Sequence, residues 1–168
     1  MARSRFFSAA LMAQLAQLQA AADRAGWQVT LAESCTGGLL GGLLTEAPGA
    51  SRMFGVSYVV YSNRAKMSEL DVPREVLKAH GAVSEACVLA MAEGALMRAR
   101  ADLALAVSGI AGPGGGTPRL PVGTVWLAAV RADGGAPATH RLMARGGRSA
   151  VREQTLAAAV TLMLAQFP

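Results

Sequence analysis

Histidine, cysteine and lysine are almost missing from this chain of 168 residues, which carries His80 and His140, Cys35 and Cys87, and Lys66 and Lys78. Two distant cysteines without C-x-x-C spacing supply neither a disulfide framework nor a metal site, and they fit a reducing compartment. The isolated histidines leave no His-based metal cluster and no evident Ser–His pair. Aromatic residues are 5% and charged residues 16% of a chain that is 52% hydrophobic, with mean hydropathy +0.34. That balance is too apolar for a disordered segment. No window offers the roughly 20 consecutive apolar residues of a membrane span. Arg3 and Arg5 ahead of the apolar run Phe6 to Ala13 imitate the start of a signal peptide. However, Leu11, Leu15, Leu18 and Ala22 recur at helical spacing among Gln14, Gln17 and Gln19, so an amphipathic helix is expected there. The expected location is cytoplasmic, with no membrane partner.

Acidic residues are also scarce. The net charge is +5 and the pI about 10.0, a balance that favours anionic partners. No basic run interleaved with aromatics occurs, so a nucleic-acid partner is not expected. In the last third, Arg131, Arg141, Arg145, Arg148 and Arg152 face only Asp133 and Glu153. They are either solvated surface or part of a pocket for phosphate or carboxylate.

The length favours one domain, and helix and strand patterns alternate along it. A first helix runs to about Arg24 and stops at Gly26. Strands are expected at Trp27 to Ala32, Gly55 to Tyr61, Leu103 to Ser108, Gly123 to Arg131 and Ala138 to Met143. Helices are expected at Leu39 to Thr45, after Pro73, from Ser84 to about Arg100, and after Ser149 as the cap of the last one. There is no internal repeat and no linker. The expectation is a single three-layer α/β domain over 1–168, with its core at about 11–164 and a mixed β-sheet flanked by helices.

Two glycine-rich loops follow hydrophobic strands, where open α/β sheets bind ligands. The first, Glu33-Ser34-Cys35-Thr36-Gly37-Gly38, leads into a helix whose first N–H groups are placed to receive an anion. The second, Gly109 to Pro118 (GIAGPGGGTP), lets backbone approach a ligand closely. Neither matches G-x-x-x-x-G-K-[ST] or G-x-G-x-x-G, which disfavours a nucleoside triphosphatase or a dinucleotide oxidoreductase. Without a histidine base, amine and phenol chemistry remains. Tyr61-Ser62-Asn63-Arg64-Ala65-Lys66 sets a phenol at a strand end and an amine five positions on, both able to face one cleft. Burial lowers a lysine's pKa until the neutral amine acts as a base. Cys35 is the rival nucleophile, with a small core hydrophobe as its plain alternative.

AESCTGG (Ala32 to Gly38), YSNRAK (Tyr61 to Lys66), HGAVSE (His80 to Glu85), SGIAGPGGGT (Ser108 to Thr117) and PVGTVW (Pro121 to Trp126) closely resemble the CinA C-terminal domain family. The motifs occur in the family's order, and the similarity runs from about Leu11 to Leu164. The resemblance implies cofactor-free and metal-free hydrolysis of the carboxamide of nicotinamide mononucleotide, giving nicotinic acid mononucleotide and ammonia. It assigns Ser34 as nucleophile, Lys66 as its base and Tyr61 as a hydrogen-bonding proton shuttle. Arg148 matches the arginine of the family's Gly-Asp-Arg segment, read here as Gly146-Gly147-Arg148, and is expected to contact substrate. Ser108 stands where many relatives have threonine, keeping the hydroxyl.

On this reading the Thr36 and Gly37 N–H groups hold the oxyanion, and Gly38 joins them in binding substrate. Gly109, Ala111, Gly112, Pro113 and Gly114, with Arg148, hold the ribose phosphate. Self-association into a homo-oligomer is compatible with the Ala/Leu-rich composition. The alternative is a catalytically silent nucleotide-binding or sensor module of the same family. A DNA-processing role has no support in the charge pattern.

Overall fold

A computed structural model describes residues 4–168; Arg3 of the signal-like N-terminus lies outside them. Six helices and five strands run in the order α1 (Ala9–Ala25), β1 (Val29–Glu33), α2 (Leu39–Thr45), β2 (Phe54–Val59), α3 (Asn63–Leu70), α4 (Arg74–His80), α5 (Glu85–Ala99), β3 (Leu103–Gly109), β4 (Thr124–Arg131), β5 (Ala138–Met143) and α6 (Arg148–Leu164). The sheet order is β2-β1-β3-β4-β5, with β1 parallel to β2 and β3, and β4 and β5 antiparallel to their neighbours. This is the mixed, helix-flanked α/β sheet expected from the sequence.

Strand and helix chemistry explains the layers. Both β1 and β3 are buried along nearly their whole length, as strands covered on two faces must be. Their alternate residues feed two cores. Leu31, Leu105 and Leu127 join Leu11, Leu15 and Leu18 of α1, Leu40 and Leu43 of α2, and Val151 and Val160 of α6. Ala32, Ala104, Ala106 and Ala128 face the other way, onto Cys87, Val88, Met91 and Ala95 of α5. The alanine face lets α5 lie close, and Gly94 lets it press on α3, since a Cβ there would stand 2.0 Å from the Leu70 carbonyl oxygen. Each fully buried leucine contributes about 1.5–3 kcal/mol.

Helix ends follow capping chemistry. Ser8, Ser62 and Ser84 each accept a backbone N–H three residues on, and Gly26 closes α1 at φ +69°. Two features depart from the sequence expectation. Helix α6 begins at Arg148 with Gly147 as its cap, so Ser149 already lies inside the helix and caps nothing. The segment Asn63–Leu70, absent from the expected helices, is a full helix whose buried side chains are Lys66 and Leu70. Among the described residues no helix is long and apolar enough to cross a membrane.

Candidate active site

Strand β1 delivers Ser34 to the carboxyl edge of the sheet, where the Ser34 N–H donates to the Val107 carbonyl of β3 at 3.1 Å. The chain then reverses: the Gly37 N–H donates to the Ser34 carbonyl at 3.2 Å, and Gly37 and Gly38 adopt φ of +62° and +94°. Glu33, fully buried, ties this turn to α2. Its carboxylate accepts the N–H groups of Gly38, Leu40 and Gly41 at 2.9, 3.1 and 2.8 Å and the Ser57 hydroxyl at 3.2 Å. The anion at the start of α2 is thus supplied by the chain itself. This corrects the expectation that those amides await a ligand: Gly38 is spent on Glu33, and the Gly37 N–H is spent closing the turn. Among the described residues the N–H groups of Cys35 and Thr36 donate to no backbone acceptor, and that of Cys35 meets only its own thiol.

Helix α3 carries Lys66 in from the opposite layer. Its side chain is 1% exposed, and Nζ lies 3.0 Å from Ser34 Oγ, 2.8 Å from the Val60 carbonyl and 3.5 Å from the Tyr61 carbonyl. Burial pushes this ammonium below the usual lysine range, while the Cys87 and Cys35 thiols pull weakly the other way. The ion pairs among the described residues are Arg52–Asp23, Arg98–Asp71 and Arg131–Asp133, so no carboxylate restores the lysine charge. A neutral amine has two N–H donors and one lone pair, and the two carbonyls can only accept. Once it has lost its proton, such an amine keeps both N–H groups for the carbonyls and turns its lone pair to the Ser34 hydroxyl. The Cys35 thiol is pushed up to about 11 by burial, which leaves it a poor nucleophile at neutral pH.

Tyr61 and Arg148 form the outer wall. The Tyr61 side chain is exposed, and its phenol oxygen accepts from Arg148 Nη2 at 3.4 Å; the residue reaches Lys66 through its carbonyl rather than its hydroxyl. Arg148 also donates Nη1 to the Gly112 carbonyl at 2.9 Å, so it is oriented without an acidic residue at Gly147. The second loop leaves β3 at Gly109, where a Cβ would stand 2.6 Å from Val125 Cγ2, and passes buried Ala111 and Gly112 before Pro113 to Thr117 emerge into solvent. The structure thus gathers Ser34, Lys66, Tyr61, Arg148 and the Gly109–Gly114 loop at one edge.

Three further residues there received no role from the sequence. Glu33 sits inside AESCTGG, yet a lone carboxylate says nothing of where it points. Ser108, 2% exposed, shares the α5-facing side of the sheet with Ser34, because strand alternation continues Ala104 and Ala106 on β3 and Ala32 on β1. Arg152 follows Arg148 by one turn of α6 and donates to the Thr36 carbonyl; its one signal was membership of the late arginine group, which assigned it no individual role.

Comparison with known proteins places these features in context. The model of the CinA C-terminal domain matches residues 11–167. The nicotinamide-nucleotide amidohydrolase PncC of Escherichia coli (strain K12) is 46% identical over 157 residues, 94% of each chain. A CinA-like protein of Akkermansia muciniphila is 58% identical over 123 residues, 73% of this chain and 29% of that protein. Another, from Parasynechococcus marenigrum, is 51% identical over 134 residues, 80% of this chain and 32% of that one. The chain thus spans about a third of the length of these longer relatives. The competence/damage inducible protein CihA from Agrobacterium tumefaciens superposes with a TM-score of 0.92 at 40% identity over 98% of both chains.

Proposed function

The chain belongs to the CinA C-terminal domain family, and on that premise we propose that it hydrolyses the carboxamide of nicotinamide mononucleotide, releasing ammonia and nicotinic acid mononucleotide. The observation that carries this reading is the buried Lys66 amine, 3.0 Å from Ser34 Oγ and 2.8 and 3.5 Å from the Val60 and Tyr61 carbonyls. In the acylation step the Ser34 proton passes to the Lys66 lone pair while Oγ bonds to the carboxamide carbon. The N–H groups of Cys35 and Thr36 receive the oxyanion, in place of the pair Thr36 and Gly37 expected from the sequence. The proton on Lys66 then moves to the amide nitrogen, the C–N bond breaks, and ammonia leaves. Water attacks the acyl-Ser34, giving its proton to Lys66, and the ester bond breaks as that proton returns to Ser34. Positioned base catalysis supplies about 10²–10⁴ in rate and each oxyanion donor about 10²–10³. The bound nucleotide's phosphate falls to Arg148 and the exposed amides of Gly114 to Gly116, which have no protein acceptor among the described residues.

The test is turnover of nicotinamide mononucleotide with and without chelator, followed by trapping of an acyl-enzyme on Ser34 by rapid quench and mass spectrometry. Ammonia release that is indifferent to chelator, with a trapped adduct on Ser34, is the expected result. Thermal stabilisation by the nucleotide with no ammonia released would favour the silent sensor module instead.

A further inference from the structure

Arg152 approaches the nucleophile turn from the layer opposite Lys66. It lines a cavity of about 250 Å³ with Leu11 of α1, Leu39 of α2 and Leu156 of α6. Its Nη2 donates to the Thr36 carbonyl, its Nε is buried without a partner, and it makes no ion pair among the described residues. Among the described residues the Thr36 carbonyl is the one protein acceptor that this guanidinium meets. Gly37 permits this approach: a Cβ there would stand 3.3 Å from Arg152 Nη2, on a residue already at φ +62°.

A peptide group joins the carbonyl of one residue to the N–H of the next, so these bonds connect end to end. Arg152 polarises the Thr36 carbonyl, whose peptide partner is the Gly37 N–H. That N–H donates to the Ser34 carbonyl at 3.2 Å, whose peptide partner is the Cys35 N–H. The Cys35 N–H meets no backbone acceptor and only its own thiol among the described residues, and it directly follows the proposed nucleophile. Hydrogen bonds in such chains strengthen one another by roughly 10–30% each, and a cation at the head orients the whole series. We infer that Arg152 is a positioning residue for the reaction: it charges the Cys35 N–H through two peptide groups and so stabilises the oxyanion from the far side of the loop, without touching substrate. The inference rests on the proposed acyl transfer at Ser34.

The test compares wild type, Arg152→Met and Arg152→Lys by steady-state kinetics on nicotinamide mononucleotide and by the amide resonance of Cys35 in ¹⁵N-labelled protein. Arg152→Met is expected to lower kcat by about tenfold, less than outright loss of an oxyanion donor, with KM and the acid limb of the pH profile unchanged. Its Cys35 amide proton moves upfield, and Arg152→Lys, which keeps the charge, recovers part of both effects. A folded Arg152→Met with wild-type kcat and an unmoved Cys35 amide would overturn the relay. So would a rise in KM with kcat intact, which would make Arg152 a substrate contact. If Arg152→Met does not fold, Arg152→Lys against wild type carries the same two readouts. A wild type inactive on the nucleotide would sink the proposed function, while the resonance, which needs no turnover, still decides the relay.

Discussion

The two glycine-rich loops look alike in sequence and differ in nearly every physical respect. The turn after β1 is buried from Ser34 to Thr36, and four hydrogen bonds to Glu33, one from Ser57 and three from the backbone, fasten its surroundings. The loop after β3 is exposed from Pro113 to Arg119, and Arg148 reaches it only at Gly112. The first holds Ser34 still, as the proposed nucleophile requires. In the second the N–H groups of Gly114 to Gly116 meet no protein acceptor among the described residues, and on the proposed reading they receive the phosphate. One buried carboxylate separates them: Glu33 fastens the first loop, and no side-chain carboxylate accepts from the Gly114 to Gly116 amides of the second.

Substitutions that break this contrast rank by where they fall. On the rigid side, Ser34→Ala removes the acyl-enzyme route and should cost at least ~10³ in kcat, read by ammonia release. Lys66→Met should cost about 10²–10⁴ and abolish the acid limb of the rate profile. It also tests stability. The folded-state pKa of Lys66 lies below the ordinary 10.5, so across that window the unfolded chain binds the extra proton and stability rises with pH. Below the folded value both states are protonated and the slope vanishes. Melting temperatures of Lys66→Met should lack the slope that wild type shows over that window.

Glu33→Gln keeps the shape but turns one acceptor into a donor facing backbone N–H groups. It should lower unfolding free energy by about 2–3 kcal/mol, measured in urea, and reduce kcat more than it raises KM. On the open side, Arg148→Ala should raise KM about tenfold with a smaller effect on kcat, because it loses a charge-assisted contact to phosphate. The smallest effect belongs to Gly114→Ala, where a Cβ meets nothing within 4 Å; its stability should stay within about 0.5 kcal/mol of wild type.

The strands and most helices were legible because their apolar residues recur at the right period, and Ser84, the serine cap of α5, stands where capping chemistry requires. Helix α3 was not, because NRAKMSEL has no apolar stripe; its inward face is a lysine. Ser34, Lys66 and Arg148 were nameable from motifs, but their meeting depends on β1 lying beside β3 and on α3 covering that edge, which no local pattern encodes. The role of Glu33 escaped for the same reason, since its partners Gly38, Leu40, Gly41 and Ser57 are set by the packing of α2 and β2 on β1. Ser149 misled as a cap because capping preference ranks residue types, and here the extended backbone at Gly147 starts the helix two residues earlier.

The central claim is that a buried neutral lysine makes Ser34 a nucleophile. Its most direct test is ammonia release from nicotinamide mononucleotide by wild type and Ser34→Ala, each in the presence of chelator, over a pH range spanning the lowered Lys66 pKa. The account predicts wild-type activity that rises with pH through that value and a Ser34→Ala variant that is folded and inactive. Equal activity in the two proteins, or wild-type activity abolished by chelator, would contradict it.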